Sequence, residues 1–339
     1  MHVCGTHEDT VWRFGLRNIL PENVSIVPGP GCPVCVTPPE YIDLSIQLSF
    51  RSGVVLATYG DMYRVPGTRG SLKDARARGG KILIVYSPCD AVEYARRHPE
   101  REVVFFAIGF ETTAPSTAAI LKEGPPKNFS VLVCHRLIPP VIDYLLGLGE
   151  TGIHGFILPG HVSTIIGWRA YEFISKKWRI PQVVAGFEPL DVLIAVAMLL
   201  RQIREGRAEV ENEYTRSVRP EGNILAKKLI EEVFRVVDAR WRGIGVVPSS
   251  GLELKEEYEK YDVRVKMGVE LEPVEKDFSK ACLCGEVLRG VASPFDCPLF
   301  GRACNPNHPV GPCMVSVEGA CSIAYKYGGY SEVKRKLMK

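Results

Sequence analysis

The chain has 339 residues, of which 11 are cysteine. A hydrophobic fraction of 46% and a charged fraction of 24% are those of an ordinary globular protein and exclude a disordered tail protein. Set against 39 acidic residues, the 42 basic ones leave a net charge of only +3, which gives no electrostatic case for a nucleic-acid or membrane partner.

At roughly 150 residues per domain, the length predicts two or three domains. The N-terminus, Met1-His2-Val3-Cys4-Gly5-Thr6-His7-Glu8, lacks the basic-then-apolar order of a signal peptide. The longest apolar run, Val192 to Leu200, has nine residues, against about 20 for a membrane span. A reducing cytoplasm is therefore the expected location, and clustered cysteines there point to metal or redox chemistry rather than disulfides.

In chain order, short aliphatic runs predict buried strands at Ser25–Val27, Val54–Thr58, Ile82–Tyr86, Val103–Ile108, Val131–Cys134, Phe156–Leu158 and Val183–Ala185. Met1–Val3 reads as the end of a further strand. Helical patterns lie between them at Tyr41–Phe50, Ala91–Arg97, Ser116–Lys122, Val141–Leu148, Ser163–Trp178 and Asp191–Glu205, with Ser163 and Asp191 as N-caps. Continuous apolar strands alternating with helices predict an α/β fold with parallel sheets covered on both faces. The polar stretch Arg96–Arg101 divides this region into two parallel-sheet α/β units, 1–98 and 99–206, facing a cleft. A long amphipathic helix is expected over Ile224–Arg242 and a charged helical turn over Lys255–Tyr261. Residues 207–339 form a C-terminal domain of helices and an irregular, Cys-rich segment, which a metal centre would organise.

Ligands of parallel α/β folds bind at the carboxyl ends of the strands. The unusual polar motifs fall there: Pro28-Gly29-Pro30-Gly31-Cys32-Pro33-Val34-Cys35, Tyr59-Gly60-Asp61, Gly109-Phe110-Glu111-Thr112-Thr113, Pro159-Gly160-His161-Val162-Ser163 and Gly186-Phe187-Glu188-Pro189. Cys4-Gly5-Thr6-His7-Glu8 fits the same edge. The expected cleft is thus lined by thiols, His and Glu. Cys32 and Cys35 are spaced for a disulfide or for two ligands of one metal. Cys4 adds a third thiol, with His7 nearby as a base or ligand. Cys89 and Cys134, near strand ends, are expected to be small core residues, with His135 a satisfied polar residue.

The tail reads Cys282-x-Cys284, then Cys297, Cys304, Cys313 and Cys321, six cysteines in 40 residues. That exceeds a four-thiolate site by two. The spacing fits neither paired zinc knuckles nor a ferredoxin run. Two alternatives stand: a [4Fe–4S] cluster beside a redox-active thiol pair, or structural zinc with two further thiols. No phosphate loop, dinucleotide fingerprint, nucleophile elbow or zinc-protease helix occurs.

Taken together, Cys4–Glu8, Gly31–Cys35, Gly109-Phe110-Glu111-Thr112-Thr113-Ala114-Pro115, Pro159–Ser163 and the block from Cys297 to Cys321 resemble the signature blocks of the hydrogenase maturation factor HypD family. The resemblance spans almost the whole chain. Family members carry a further segment before the Cys-Gly-Thr-His-Glu block, so it also implies a shortened or misassigned start.

The resemblance implies an accessory scaffold with redox activity rather than a turnover enzyme. HypD-like proteins act in assembling the Fe(CN)2CO group of [NiFe]-hydrogenases. Iron is held between the protein and the small chaperone HypC, and cyanide arrives from HypE, which HypF charges from carbamoyl phosphate. By matching position, Cys4 is an iron ligand, and Cys32 and Cys35 are the adjacent redox or ligand pair. Thr6, His7 and Glu8 tune or position the iron, and Glu111 and His161 line the cleft. Four of Cys282, Cys284, Cys297, Cys304, Cys313 and Cys321 hold a [4Fe–4S] cluster and two serve as redox thiols. A monomer is expected until the partners bind. A stand-alone iron–sulfur disulfide reductase and a zinc protein binding a small anion are the competing readings.

Overall fold

The computed structural model describes residues 1–150, 152–274 and 281–328. Among the described residues, nine strands form three sheets. They are β1 (Val54–Tyr59), β2 (Ile82–Val85), β3 (Glu102–Gly109), β4 (Phe129–His135), β5 (Phe156–Pro159), β6 (Gln182–Ala185), β7 (Val210–Asn212), β8 (Phe234–Trp241) and β9 (Gly245–Leu254). One parallel sheet has the order β2-β1-β3-β4 and another the order β5-β6-β7, while β8 and β9 form an antiparallel hairpin. The α/β architecture with parallel sheets and a Cys-rich tail is therefore as expected.

The chain divides into two compact units. The first gathers the described residues of Met1–Cys35, Ile138–Ile224 and Ser279–Lys339, the second those of Val36–Leu137 and Leu225–Phe278. This corrects the linear division at 98 and 206. Strands on both sides of residue 98 share one sheet, because β1 pairs with β2 on one edge and β3 on the other. Sheet pairing is non-local, so a polar helix end such as Arg96–Arg97 marks a surface and not a boundary.

In the second unit the core holds Val103, Phe105 and Ala107 of β3, Phe129, Val131 and Val133 of β4, and Phe234, Leu252 and Leu254 of the hairpin. In the first unit Ile157, Val183 and Ala185 pack with Val11 and with Val192, Ala195, Val196 and Leu199 of the helix Pro189–Arg204. Among the described residues no helix is long and apolar enough to cross a membrane.

Several local expectations are corrected. The helix over 224–242 stops at Val233, and Phe234–Trp241 is β8. Its β-branched Val236 and Val237 favour the extended form, and Trp241 is fixed by a hydrogen bond from Nε1 to Ser250 Oγ at 2.8 Å. Ser25–Val27 is not a strand; His2 N–H bonds Val27 O, and His2 forms single bridges to Pro28 and Ile157 at the edge of the β5 sheet. The pattern over 163–178 is broken at Gly167, whose φ of +81° no other residue adopts cheaply and whose absent side chain admits the 220–222 backbone. Ser163 lies inside the helix Gly160–Ile166 and donates to Pro159 O, so it is not a cap. The cap of Pro189–Arg204 is Glu188, in a reciprocal pair with Asp191. Cys89 is exposed at the start of the helix Pro88–Arg97 and is no core residue, whereas Cys134 is buried in β4 as expected.

Candidate functional site

The site is built on the helix Gly5–Arg13, whose cap is Cys4 in extended conformation. An extended cap turns the Cys4 thiol back over the helix start. There the backbone N–H groups of Thr6 and His7 and the Thr6 hydroxyl favour the thiolate. Two glycines make this possible. A Cβ on Gly31 would lie 2.1 Å from Cys4 N, so the Pro-Gly-Pro-Gly loop crosses directly on the Cys4 backbone, held by Gly5 N–H to Gly31 O at 3.2 Å. A Cβ on Gly5 would meet Glu318 Cβ at 2.3 Å, so a tail residue takes the other side.

Cys32 and Cys35 follow Gly31 at the short helix Pro33–Val36 and are joined by a disulfide, with Cα atoms 5.3 Å apart. Both are buried, at 3% and 0% exposure. Cys35 N–H points at Cys32 Sγ, 3.2 Å away.

Glu318 is the tail's contribution to the Cys4 region. The Thr6 hydroxyl donates to Glu318 Oε1 at 3.4 Å. Burial pushes the Cys4 thiol up to about 11, and the Glu318 charge adds to this, against the opposing Thr6 and His7 N–H groups. A cation beside this thiol would favour its ionisation.

His7 is fully buried and its Nε2 lies 2.9 Å from Gly186 O. Burial, then the His2 charge, lower its pKa to about 3, so the ring is neutral near pH 7 and its Nε2–H donates. Glu8 is a buried hub. It accepts from His2 Nε2 at 2.7 Å, Trp12 Nε1 at 2.8 Å and Arg17 Nη2 at 2.8 Å. All three partners are structural, so it fixes the helix rather than facing Cys4. His161 is exposed and stacks on Phe187, which in turn stacks on His7. Glu111 belongs to the second unit, where it follows β3 and is buried.

All six tail cysteines line one cavity, with Leu283, Phe300, Gly311 and Met314. Cys284, Cys304 and Cys313 are buried. Val310 N–H points at Cys304 Sγ at 3.3 Å. A Cβ on Gly311 would intrude to 2.9 Å from Cys282 Sγ. For Cys284 a hydrogen bond from Cys282 favours the thiolate, but bonding to Cys313 and burial outweigh it and raise its pKa well above the ordinary value. Cys321 is raised by burial and by the neighbouring thiols. Crowded, buried thiols of this kind ionise together only around a positive centre. No three Cys, His, Asp or Glu side chains among the described residues form a ready coordination shell. The fit to a thiolate-bound metal centre therefore rests on the donor set: six soft sulfurs, apolar walls and an N–H aimed at sulfur.

The structure thus brings together, in one unit, Cys4, Thr6, His7, Glu8, Cys32, Cys35, His161 and the six tail cysteines. In the second unit a separate cavity of about 180 Å³, lined by Glu40, Asp43, Gln47, Thr68, Arg69 and others, contains none of the expected residues. Sequence reasoning missed Glu318, Phe187 and Gly311 as site residues. Each carried a signal: a carboxylate between two cysteines, an aromatic residue in a strand-end Gly-x-Glu-Pro turn, and a glycine beside Pro312-Cys313.

Fold and site together define a thiol-rich α/β protein whose N-terminal cysteine motif is completed by its C-terminal tail. Residues 1–328 match the family model HypD, described as "Hydrogenase formation hypA family". The chain is similar to the hydrogenase maturation factor HypD of Cupriavidus necator, at 46% identity over 98% of this chain and 90% of that protein. It is similar to the HypD proteins of Rhizobium leguminosarum bv. viciae, at 47% over 99% and 90%, and of Escherichia coli, at 45% over 96% and 88%. The chain belongs to the HypD family of hydrogenase maturation factors.

Proposed function

We propose that this chain acts in the cytoplasm as the scaffold on which the Fe(CN)2CO group of [NiFe]-hydrogenases is assembled, holding iron jointly with HypC and receiving cyanide by way of HypE. The observation that carries the reading is the joining of Cys4, the Cys32–Cys35 disulfide and the tail cysteines in one compact unit, with Glu318 bridging tail and helix.

The substrate iron binds the Cys4 thiolate. Low-spin iron with strong-field ligands suits soft sulfur donors. On binding, Cys4 gives up its proton, and the N–H groups of Thr6 and His7 at the helix start take up part of the thiolate charge. Thr6 holds Glu318 over the helix start, and Glu8 fixes the helix itself. Cys32 and Cys35 exchange two electrons: reduction breaks their S–S bond and takes up two protons, and oxidation returns both. A [4Fe–4S] cluster held by four of the six tail cysteines would supply electrons one at a time. The stand-alone reductase reading is less well supported, because both disulfide sulfurs are buried and a partner's thiol needs access to one of them.

The test is infrared spectroscopy of the anaerobic complex with HypC, produced with the maturation system. Wild type is expected to show cyanide and carbonyl stretching bands and a brown colour from about four cluster irons per chain. Cys4→Ala is expected to lose the bands and keep the colour. Bands retained in Cys4→Ala overturn the ligand assignment. A colourless, zinc-only protein overturns the redox scaffold.

A further inference from the structure

Three rings stand in a row behind the Cys4 helix. His7 and Phe187 are 4.9 Å apart at 30°, and Phe187 and His161 are 3.9 Å apart at 26°. The inner imidazole is fully buried, the outer one is exposed, and Phe187 between them is partly buried. The stack is built from three separate pieces of sequence. His7 comes from the first helix, His161 from the helix Gly160–Ile166 after β5, and Phe187 from the turn after β6.

Phe187 is held by further contacts on its backbone and ring. Thr10 Oγ1 donates to Phe187 O at 2.7 Å, tying its backbone to the helix that carries His7. The Tyr214 ring meets Phe187 edge-on at 5.9 Å. Tyr214 itself is wedged where Gly160 and Gly186 have no side chains: a Cβ on either would lie 2.7–2.8 Å from its ring. The Arg216 guanidinium covers the Tyr214 ring at 4.4 Å and pairs with Asp191. Glu213 accepts from Gly186 N–H at 3.0 Å, while the carbonyl of that same Gly186 receives His7. This much support around one half-buried ring exceeds what a turn needs.

The carbonyl of Gly186 fixes one nitrogen of His7 but not the tilt of its ring about that bond. A stacked neighbour fixes the tilt, because aromatic pairs have preferred offset geometries. It also keeps water off the face of the ring it covers. We propose that Phe187 is a positioning residue of the iron-handling site: clamped by Tyr214 and Thr10, its ring sets the plane of His7 and seals it from solvent, with His161 as the outer cover. The iron-handling role rests on the function proposed above; the sealing of His7 does not.

Two measurements separate the parts. The first is deuterium exchange at the imidazole Cε1–H of His7, read by mass spectrometry of its peptide in the full chain, with no iron needed. Phe187→Leu is expected to raise the rate several-fold, and Phe187→Tyr to restore it, since only the latter keeps an aromatic face. An unchanged rate in Phe187→Leu overturns the proposal. The second is the infrared spectrum of the HypC complex. Phe187→Leu is expected to weaken or broaden the cyanide and carbonyl bands with the tail's visible absorbance and the far-UV circular dichroism unchanged, and Phe187→Tyr to recover them. Wild-type bands in Phe187→Leu alongside faster His7 exchange overturn the positioning role. Bands missing from wild type itself sink the scaffold reading and with it that role, while the exchange result still decides whether Phe187 seals His7.

Discussion

Glu8→Gln is the sharpest test of how the Cys4 helix is held. Glu8 is 2% exposed and accepts three hydrogen bonds, from His2, Trp12 and Arg17, at 2.7–2.8 Å. The three donors come from the segment before the helix, the helix itself and the turn after it. Burial alone would raise the Glu8 carboxyl; the His2 hydrogen bond and the Arg17 charge outweigh it and hold the pKa at about 2, against an ordinary 4.5. At about 1.4 kcal/mol per pH unit this drop is worth roughly 3 kcal/mol. Because the folded value is depressed, that stability is present above pH 4.5 and disappears as pH falls through about 2. Glutamine keeps one acceptor oxygen but turns an NH2 group toward one of three donors. Removing one partner of a buried charge pair costs about 3–5 kcal/mol, and Arg17 is only half-buried, which favours the lower end. The expected result at pH 7 is a fall of about 3 kcal/mol in opening free energy for Gly5–Arg13, a loss of about 100-fold in amide exchange protection. A loss below about tenfold, or about 1.4 kcal/mol, would refute the hub assignment.

Gly311→Ala places a Cβ 2.9 Å from Cys282 Sγ and 3.5 Å from Cys284 Cβ; under the proposed function, iron content is expected to fall clearly below the wild-type level, read by chemical iron assay and visible absorbance. Acidification acts through His7: its pKa of about 3 lies below the ordinary 6.5, so the unfolded chain takes up the proton first, and stability present above pH 6.5 drains away as pH falls toward 3. Amide exchange in the first unit should show that slope, and His7→Gln should flatten it; an equal slope in the variant would remove His7 as its source.

Strands β1 to β6 were legible because each is an apolar run bounded by turn residues, as Val103–Ile108 and Val131–Cys134 show within the longer β3 and β4. Strand partners were not. β1 lies between β2 and β3, and this pairing draws residues from both sides of the expected boundary at 98 into one sheet. The 224–242 pattern failed because a helix and a strand abut at Val233 and Phe234 with no breaker between them. In the site, thiol and imidazole positions were visible because their chemistry is rare. Glu8 was visible as a site residue, but its hub role depends on Trp12 and Arg17, which nothing in the motif marks. Glu318 was hidden for a similar reason: its meaning comes from Gly5 and Thr6, at the opposite end of the chain.

That long-range contact has a mechanical consequence. Glu318 sits on a short connection between Cys313 and Cys321, and both cysteines line the tail cavity. Gly319, next along, packs so closely on Cys313 that a Cβ there would lie 2.2 Å from the Cys313 carbonyl oxygen. Ser316 O accepts Gly319 N–H at 3.0 Å and closes the turn. The carboxylate that meets Thr6 is thus fixed at both ends by the tail thiols' own backbone. The six tail thiols crowd round one cavity, so the tail's geometry depends on what they bind. Under the proposed function, the state of the tail then sets where Glu318 stands over Gly5 and Thr6, and so how much negative charge Cys4 faces when iron arrives. Under that proposal, placing the two cysteine motifs in one unit, at opposite ends of the chain, would make the Cys4 site sensitive to whether the tail is assembled.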